Sequence, residues 1–275
     1  MVWALGVYFS LAIGAGDFFG AYLARRAQPI SVVITFMTVG GLSAAALMIV
    51  VPSEFIWRDV GFGAVSGLNI GLALVLMYHG MAVSSAAVVS PVTAVITALV
   101  PLSWDVATGA SLSGGVILGI AVALVGLVIT TFSPELGDKA LVGVRWGLLA
   151  GLFFGLSLTF IGQANSDAGV WTTISQRSVA AIVLVGIAAY RTVPFFVPRS
   201  EYKQGLAGGV LTGTAVVAFV AGAQRGSLSE ITITGSMFPA VTAVLAAIFE
   251  KHPLRWWQMI GIGLVVFGVV LIGIA

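Results

Sequence analysis

One carboxylate stands out in this sequence because it lies inside a long apolar stretch. Asp17 follows GVYFSLAIGAG and precedes FFGAYLA, and the stretch 2–23 holds no other charged residue. An ionisable side chain within such a helix is costly, and it is by default a functional hypothesis. Asp17 could bind the cationic part of a ligand or carry a coupling proton. The alternative is a hydrogen bond to a facing serine or amide that serves packing alone.

A proline followed closely by Thr-Ala-Val occurs twice, in VSPVTAV around Pro91 and in MFPAVTAV around Pro239. Proline inside a helix removes one backbone hydrogen bond and kinks the helix. Lipid tolerates this only where protein or water satisfies the freed carbonyl. We therefore expect both prolines to face inward, beside hydroxyls that could line a binding site: Ser90, Thr93 and Ser236. The alternative is two structural kinks that contact no ligand.

Three further polar residues in apolar stretches complete the candidate binding set: Asn69, Tyr78 and Thr212. Asn69 could bond across helices or to a polar ligand, and Thr212 could line a cavity or bond its own helix. Arg177 lies either within an apolar stretch or at its outer end, and a structural role is favoured. Which of these groups would contact a ligand depends on how the helices pack.

The sequence does not indicate chemistry of other kinds. Its two histidines, His79 and His252, lie near the ends of apolar stretches, so paired metal ligands on one helix face are not formed. The motifs HExxH, GxSxG and GxxxxGK[ST] do not occur, which leaves no signature of a metalloprotease, a serine hydrolase or a phosphate-binding loop. We predict that the protein is not an enzyme and uses no catalytic residue, metal or cofactor.

Composition predicts an integral membrane protein. Of 275 residues, 59% are apolar and 8% charged, and the mean hydropathy is +1.12, whereas soluble domains carry about 25% charged residues. Apolar stretches of about 20 residues recur, each able to cross a bilayer. The net charge of +2 is too small to indicate a nucleic-acid partner. We predict an all-α protein in the lipid bilayer with ten transmembrane helices near 2–23, 30–51, 60–80, 84–103, 112–132, 144–163, 170–190, 205–223, 230–249 and 255–274.

The fifth and tenth stretches repeat each other. When LSGGVILGIAVALVGLVI is laid over LRWWQMIGIGLVVFGVVL, Leu112 falls on Leu254, and the glycine pairs Gly119/Gly261 and Gly126/Gly268 coincide. The chain is therefore predicted to hold two five-helix repeats, 1–135 and 140–275. Because five is odd, the second repeat must be inverted in the membrane, as in many secondary transporters.

Basic residues support the inversion and predict the orientation. The connections after the first, fifth, seventh and ninth stretches hold most of them, namely Arg25, Arg26, Lys139, Arg145, Arg191, Arg199, Lys203, Lys251 and Arg255. The connections after the second and eighth stretches hold Arg58 and Arg225. Positive charge concentrates on the cytoplasmic side of a membrane. We expect both termini to lie outside.

The last 54 residues, GAQRGSLSEITITGSMFPAVTAVLAAIFEKHPLRWWQMIGIGLVVFGVVLIGIA, resemble the end of an EamA-type repeat of the drug/metabolite transporter superfamily. The matching features are Gly222, the polar turn 225–230, Pro239, Glu250, Gln258, Gly261 and Gly268. The first half resembles a degraded copy in which Pro91 and Gly119 remain, while no Glu stands at the position of Glu250.

The resemblance implies a secondary transporter that moves a small organic metabolite, an amino acid or a drug-like compound for example, by alternating access and in the export direction. It places a central cavity between spans 1, 3, 4, 6, 8 and 9. It further implies a multi-pass protein of a cell membrane, such as a prokaryotic inner membrane, acting as a monomer or weak homodimer. The alternatives are a channel-like facilitator and, from a different class, an intramembrane enzyme.

Overall fold

The computed structural model describes residues 2–109, 113–131, 137–225, 238–249 and 255–274. The α-helices in this part of the chain are α1 (Val2–Ala24), α2 (Pro29–Leu47), α3 (Trp57–Val83), α4 (Ala86–Ala107), α5 (Gly114–Thr131), α6 (Asp138–Ile161), α7 (Val170–Tyr190), α8 (Tyr202–Ala223), α9 (Phe238–Phe249) and α10 (Trp256–Ile274). The same residues contain no β-strand. Eight of these helices, all except α5 and α9, are long and apolar enough to cross a membrane. The all-α membrane fold is confirmed, and the ten-span count stays a prediction.

Among the helices that begin earlier than hydropathy predicts, two have a carboxylate in the first turn. α3 begins at Trp57 and α6 at Asp138, so Arg58 and Lys139 lie within helices and not in connections. The reason is that each helix extends beyond its apolar segment by a polar first turn, which contains Asp59 in α3 and Asp138 in α6. A carboxylate there meets the positive end of the helix dipole and stabilises the extra turn.

Hydrogen bonds join the α2–α3 connection and the start of α3 to the α6–α7 connection and the start of α7. The side chain of Asp59, which is 1% exposed, accepts a bond from the Asn165 amide at 3.2 Å. The Ser53 hydroxyl accepts a bond from the Val170 amide at 2.9 Å. Gly169 has a φ of +52°, and a Cβ there would lie 2.5 Å from Ser53 Oγ. Only glycine therefore suits this tight approach.

The most extensive helix pairs have counterparts in the two halves of the chain. α3 packs against α6 and α7, and α8 packs against α1 and α2. α4 packs against α6, and α9 packs against α1. α5 packs against α10, and α2 against α7. The counterpart of each of the first five helices is the helix five places later in the chain. With this correspondence, the three α3 and α4 contacts match the three α8 and α9 contacts, while the α5–α10 and α2–α7 contacts each match themselves.

Glycines make the α5–α10 contact close. A Cβ on Gly119 would lie 2.8 Å from the carbonyl oxygen of Gly268, and a Cβ on Gly126 would lie 2.7 Å from that of Gly261. The earlier residue of α5 therefore meets the later residue of α10, so the two helices run antiparallel. Small residues at such crossings let backbones approach, because lipid provides no hydrophobic drive between helices.

Candidate functional site

A carboxylate and a phenol meet inside the helix bundle. Tyr78 of α3 donates a hydrogen bond from its hydroxyl to Asp17 Oδ1 of α1 at 3.3 Å. Asp17 is 6% exposed and Tyr78 is fully buried. The phenol lies over Gly20, one turn after Asp17, where a Cβ would be 2.2 Å from Tyr78 Cζ. The fold thus joins two predicted binding residues that are 61 positions apart.

The ring of Tyr78 is held from its other side by α2. The Phe36 ring meets it edge to face, with ring centroids 6.0 Å apart and planes at 78°. Phe36 in turn lies on Gly208 of α8, where a Cβ would be 2.2 Å from its Cζ. The orientation of the phenol toward Asp17 is therefore determined by packing on three helices.

Arg177 of α7 lies within the bundle and is 4% exposed, which rules out the alternative that it reaches the outer face of the membrane. Its Nη2 donates to the Thr212 carbonyl of α8 at 2.8 Å, and its Nη1 donates to the Phe36 carbonyl of α2 at 3.4 Å. The guanidinium crosses Gly40, where a Cβ would lie 2.2 Å from Nη1. Tyr78 is close enough to interact electrostatically with both Arg177 and Asp17.

Thr212 connects these groups to α1. Its methyl carbon lies over Gly16, where a Cβ would be 2.4 Å away, next to Asp17. Its hydroxyl donates to the Gly209 carbonyl of its own helix at 3.2 Å. We name Asp17, Phe36, Tyr78, Arg177 and Thr212 the central cluster. It contains three of the residues predicted to bind substrate.

A second buried polar group lies between α3, α6 and α7, and sequence reasoning missed it. Gln176 Nε2 donates to the Ser66 hydroxyl at 2.7 Å and reaches the Ser157 hydroxyl at 3.3 Å. The two serine hydroxyls are 2.6 Å apart. In the predicted repeat these helices correspond to α8, α1 and α2, which supply most of the central cluster. The sequence signal was Gln176 beside Arg177, two long polar side chains in one apolar helix.

The repeated Thr-Ala-Val stretches lie at two equivalent helix contacts. Thr93 of α4 donates to the Gly147 carbonyl of α6 at 3.4 Å. The Thr242 hydroxyl of α9 is shared between the Gly14 carbonyl of α1 at 3.1 Å and the Phe238 carbonyl of its own helix at 3.0 Å. Val92, which precedes Thr93, occupies the space that a Cβ on Gly147 would need, and Val241, which precedes Thr242, does the same at Gly14. Each threonine therefore bonds the first helix of the other half. We call these two contacts the threonine contacts.

The remaining predicted site residues lie apart from the central cluster. Asn69 bonds the Val65 carbonyl of its own helix at 2.9 Å and is half-buried. Ser90 and Pro91 are buried in α4, which continues as a helix through the proline. Pro239 lies in α9. Ser236 lies outside the described residues, as do Glu250 and the turn 226–230. Their roles in substrate binding stay predictions.

Nothing in the described part of the chain forms a group of three or more His, Cys, Asp or Glu side chains that could hold a metal ion. The central cluster offers a carboxylate, a phenol and a guanidinium in an apolar surrounding. Such a set can bind polar or charged groups of a small molecule. No acid–base pair beside a nucleophile is formed by these side chains.

Comparison with known proteins gives a family for the second half of the chain and a fold for nearly all of it. Residues 141–274 match the EamA-like transporter family. A solved crystal structure superposes with a TM-score of 0.65 at 15% sequence identity, covering 98% of this chain and 94% of the other, which shows a shared fold. No curated protein matches the chain. Residues 141–274 are therefore similar to the EamA-like transporter family, a family of small-molecule transporters within the drug/metabolite transporter superfamily. Because eight helices of the described residues are long and apolar enough to cross a membrane, the chain is a multi-pass membrane protein.

Proposed function

We propose that the protein is a secondary transporter that exports a small organic metabolite, such as an amino acid or a drug-like compound, by alternating access of two inverted halves. The observation that supports this most is the equivalence of the two threonine contacts, in which each half bonds the first helix of the other. Alternating access in inverted-repeat transporters is a rocking of one repeat against the other around a midplane site. Such a rocking motion must change the contacts that join the two halves, and the threonine contacts join them at matched positions.

Asp17 is the residue to which we assign the binding of a cationic group or a coupling proton. An ionised carboxylate can accept about four hydrogen bonds, and among the described residues Tyr78 donates one. An ammonium group of a substrate would use the remaining acceptor positions. A bound proton would turn one oxygen into a donor. Either event changes the charge in the centre of the bundle, which contains the buried guanidinium of Arg177.

We further propose that the protein resides in a cell membrane with both termini outside. Large apolar side chains such as Leu42 and Ile182 are exposed on the bundle, at 68% and 70%, as expected of residues that face lipid. The Arg25–Arg26 pair directly after α1 would then lie on the cytoplasmic side.

Counterflow in proteoliposomes tests the function. A panel of radiolabelled amino acids and amines should include a substrate whose uptake saturates and is accelerated by unlabelled substrate on the other side. Saturation with counterflow supports a carrier, whereas voltage-step currents without counterflow would establish a channel. Asp17→Asn should abolish coupled or cation transport, while Asp167→Asn, the same change at an exposed connection residue, should leave it intact. Normal transport with a normal pH profile in Asp17→Asn would assign Asp17 to packing.

The threonine contacts test alternating access separately. Thr93→Val and Thr242→Val keep the side-chain shape and remove the hydroxyl. An interhelical hydrogen bond in a membrane contributes about 0.6 kcal/mol on average, so each change should shift the balance of inward and outward states about threefold. Both contacts are formed in this structure. If rocking opens one contact in the inward-facing state and the other in the outward-facing state, the two variants should shift this balance in opposite directions. Half-saturation constants measured from each face report this balance. Shifts in the same direction would refute the exchange of the two contacts.

A further inference from the structure

A cleft opens at the end of α1, away from the central cluster. It has a volume of roughly 650 Å³ and is lined by Arg25, Arg26, Gln28 and Ser31 on one side and by Pro194 and Phe196 on the other. The two arginines directly follow the last residue of α1. The cleft therefore lies where the membrane-spanning part of that helix ends, at the level of lipid headgroups.

The wall opposite the arginines is held in place. The Ser31 hydroxyl donates to the Pro194 carbonyl, and the Val197 amide donates to the Thr35 hydroxyl at 3.3 Å. Val197 is 2% exposed and lies over Gly205, where a Cβ would be 2.9 Å from its side chain. The segment 192–198 is thus tied to α2 and α8, and the cleft does not need to form when a ligand arrives.

The arginines are oriented by contacts with the protein. Arg25 Nη2 donates to the Met81 carbonyl at 3.4 Å. The guanidinium carbon of Arg26 lies 3.7 Å from the centre of the Tyr22 ring, its Nη1 donates to the Tyr22 carbonyl at 3.2 Å, and its Nε is 3.7 Å from Glu201 Oε1. With Glu201 included, these three side chains have a net positive charge. A guanidinium has five N–H donors in a planar fork that matches phosphate oxygens.

The surroundings favour a lipid over a soluble anion. Phe195 and Phe196 are 42% and 47% exposed beside the cleft, and exposed apolar side chains beside a binding site favour a ligand with an apolar part. An anionic phospholipid would place its phosphate between the arginines and its acyl chains along the apolar helices. We propose that this cleft binds the phosphate of an anionic phospholipid headgroup. The site is separate from the central cluster and does not depend on the proposed transport function.

Native mass spectrometry of the full-length protein in detergent tests the proposal, with phosphatidylglycerol and phosphatidylcholine as probes. The wild type should retain phosphatidylglycerol in preference to phosphatidylcholine. Arg25→Gln/Arg26→Gln should weaken phosphatidylglycerol binding by about 30-fold, the effect expected when two basic groups near a charged surface are removed. The control variant Arg199→Gln/Lys203→Gln also removes two positive charges, from residues after α7 that do not line the cleft. It should bind phosphatidylglycerol as the wild type does.

Gln28→Glu gives a second variant that keeps both arginines, and the added negative charge should also weaken phosphatidylglycerol binding. Equal retention of the two lipids by the wild type would overturn the proposal. So would an equal loss in the Arg199/Lys203 control, which would show an effect of general surface charge. Glycerol 3-phosphate distinguishes a lipid from a soluble phosphate. If millimolar glycerol 3-phosphate displaces the lipid completely, the cleft is a site for a free phosphate ester and the lipid assignment is wrong.

Discussion

Gly20→Ala is the substitution that most directly tests the contact between α1 and Tyr78. The added Cβ would lie 2.2 Å from Tyr78 Cζ and 2.7 Å from its hydroxyl oxygen. An ordinary contact begins near 3.4 Å, so the ring must move by about 1.2 Å (3.4 − 2.2). The hydrogen bond to Asp17, at 3.3 Å, is already long and would break. The Tyr78 ring also packs edge to face on Phe36, so a shift of the phenol changes that contact as well.

The expected cost follows from two contributions. Overpacking a buried site destabilises by about 1–3 kcal/mol, and the lost interhelical hydrogen bond adds about 0.6 kcal/mol. Alanine has a higher helix propensity than glycine, which offsets up to about 1 kcal/mol of this loss. The free energy of unfolding should therefore fall by about 1–3 kcal/mol. Transport that depends on Asp17 should fall with it, because the carboxylate loses its donor.

Gly186→Ala is the matched control, since it makes the same change inside α7 at a position where a Cβ would meet nothing within 4 Å. It should leave stability unchanged or raise it slightly. Equilibrium unfolding in mixed micelles with increasing sodium dodecyl sulfate measures both variants. In Gly20→Ala/Tyr78→Ala the clash is absent, so the two effects should be less than additive by about 1 kcal/mol or more. Identical unfolding of the Gly20 and Gly186 variants, or full additivity in the double variant, would refute the packing of Tyr78 on Gly20.

The other predictions concern charge, helix contact and orientation. Arg177→Lys should destabilise the protein in the same unfolding assay, because one ammonium cannot reproduce the forked bonds to the Phe36 and Thr212 carbonyls; an unfolding curve like that of the wild type would show that these bonds contribute nothing. Gly268→Ala should lower the free energy of unfolding by about 1–3 kcal/mol, since its Cβ would lie 2.5–2.6 Å from backbone atoms of α5, and Gly263→Ala, with open space around it, should not. Reporter fusions at either terminus should be active outside the cytoplasm, and activity confined to the cytoplasm would refute the orientation drawn from loop charge.

Sequence reasoning found the members of the central cluster more easily than their arrangement. Asp17 and Tyr78 were recognisable because polar side chains are expensive in an apolar helix. Their hydrogen bond was not predictable, since it requires Gly20 to admit the phenol and Phe36 to hold it. Ser66 and Ser157 were missed for a related reason: a serine in an apolar helix can bond its own backbone, so nothing in its neighbours along the chain indicates a partner on another helix.

The threonine contacts show the same limit in the repeated stretches. The sequence shows the duplication of Thr-Ala-Val and the glycines that match between the two halves. It does not show that Thr93 and Thr242 donate to glycines of the opposite half, because that depends on which helices become neighbours. The expectation that these hydroxyls line a binding site stays a prediction beside the structural role that the contacts reveal.

By itself, the sequence determined that the chain is an all-α membrane protein, that it resembles a known transporter family, and which few polar side chains would have to be buried. These properties follow from composition and local periodicity, which lipid enforces on every span because each backbone group must be satisfied within its own helix. Only the tertiary structure decided which polar groups meet. In a bilayer, hydrophobicity does not choose between neighbouring helices, so the choice depends on close glycine contacts and on hydrogen bonds between residues far apart in the chain.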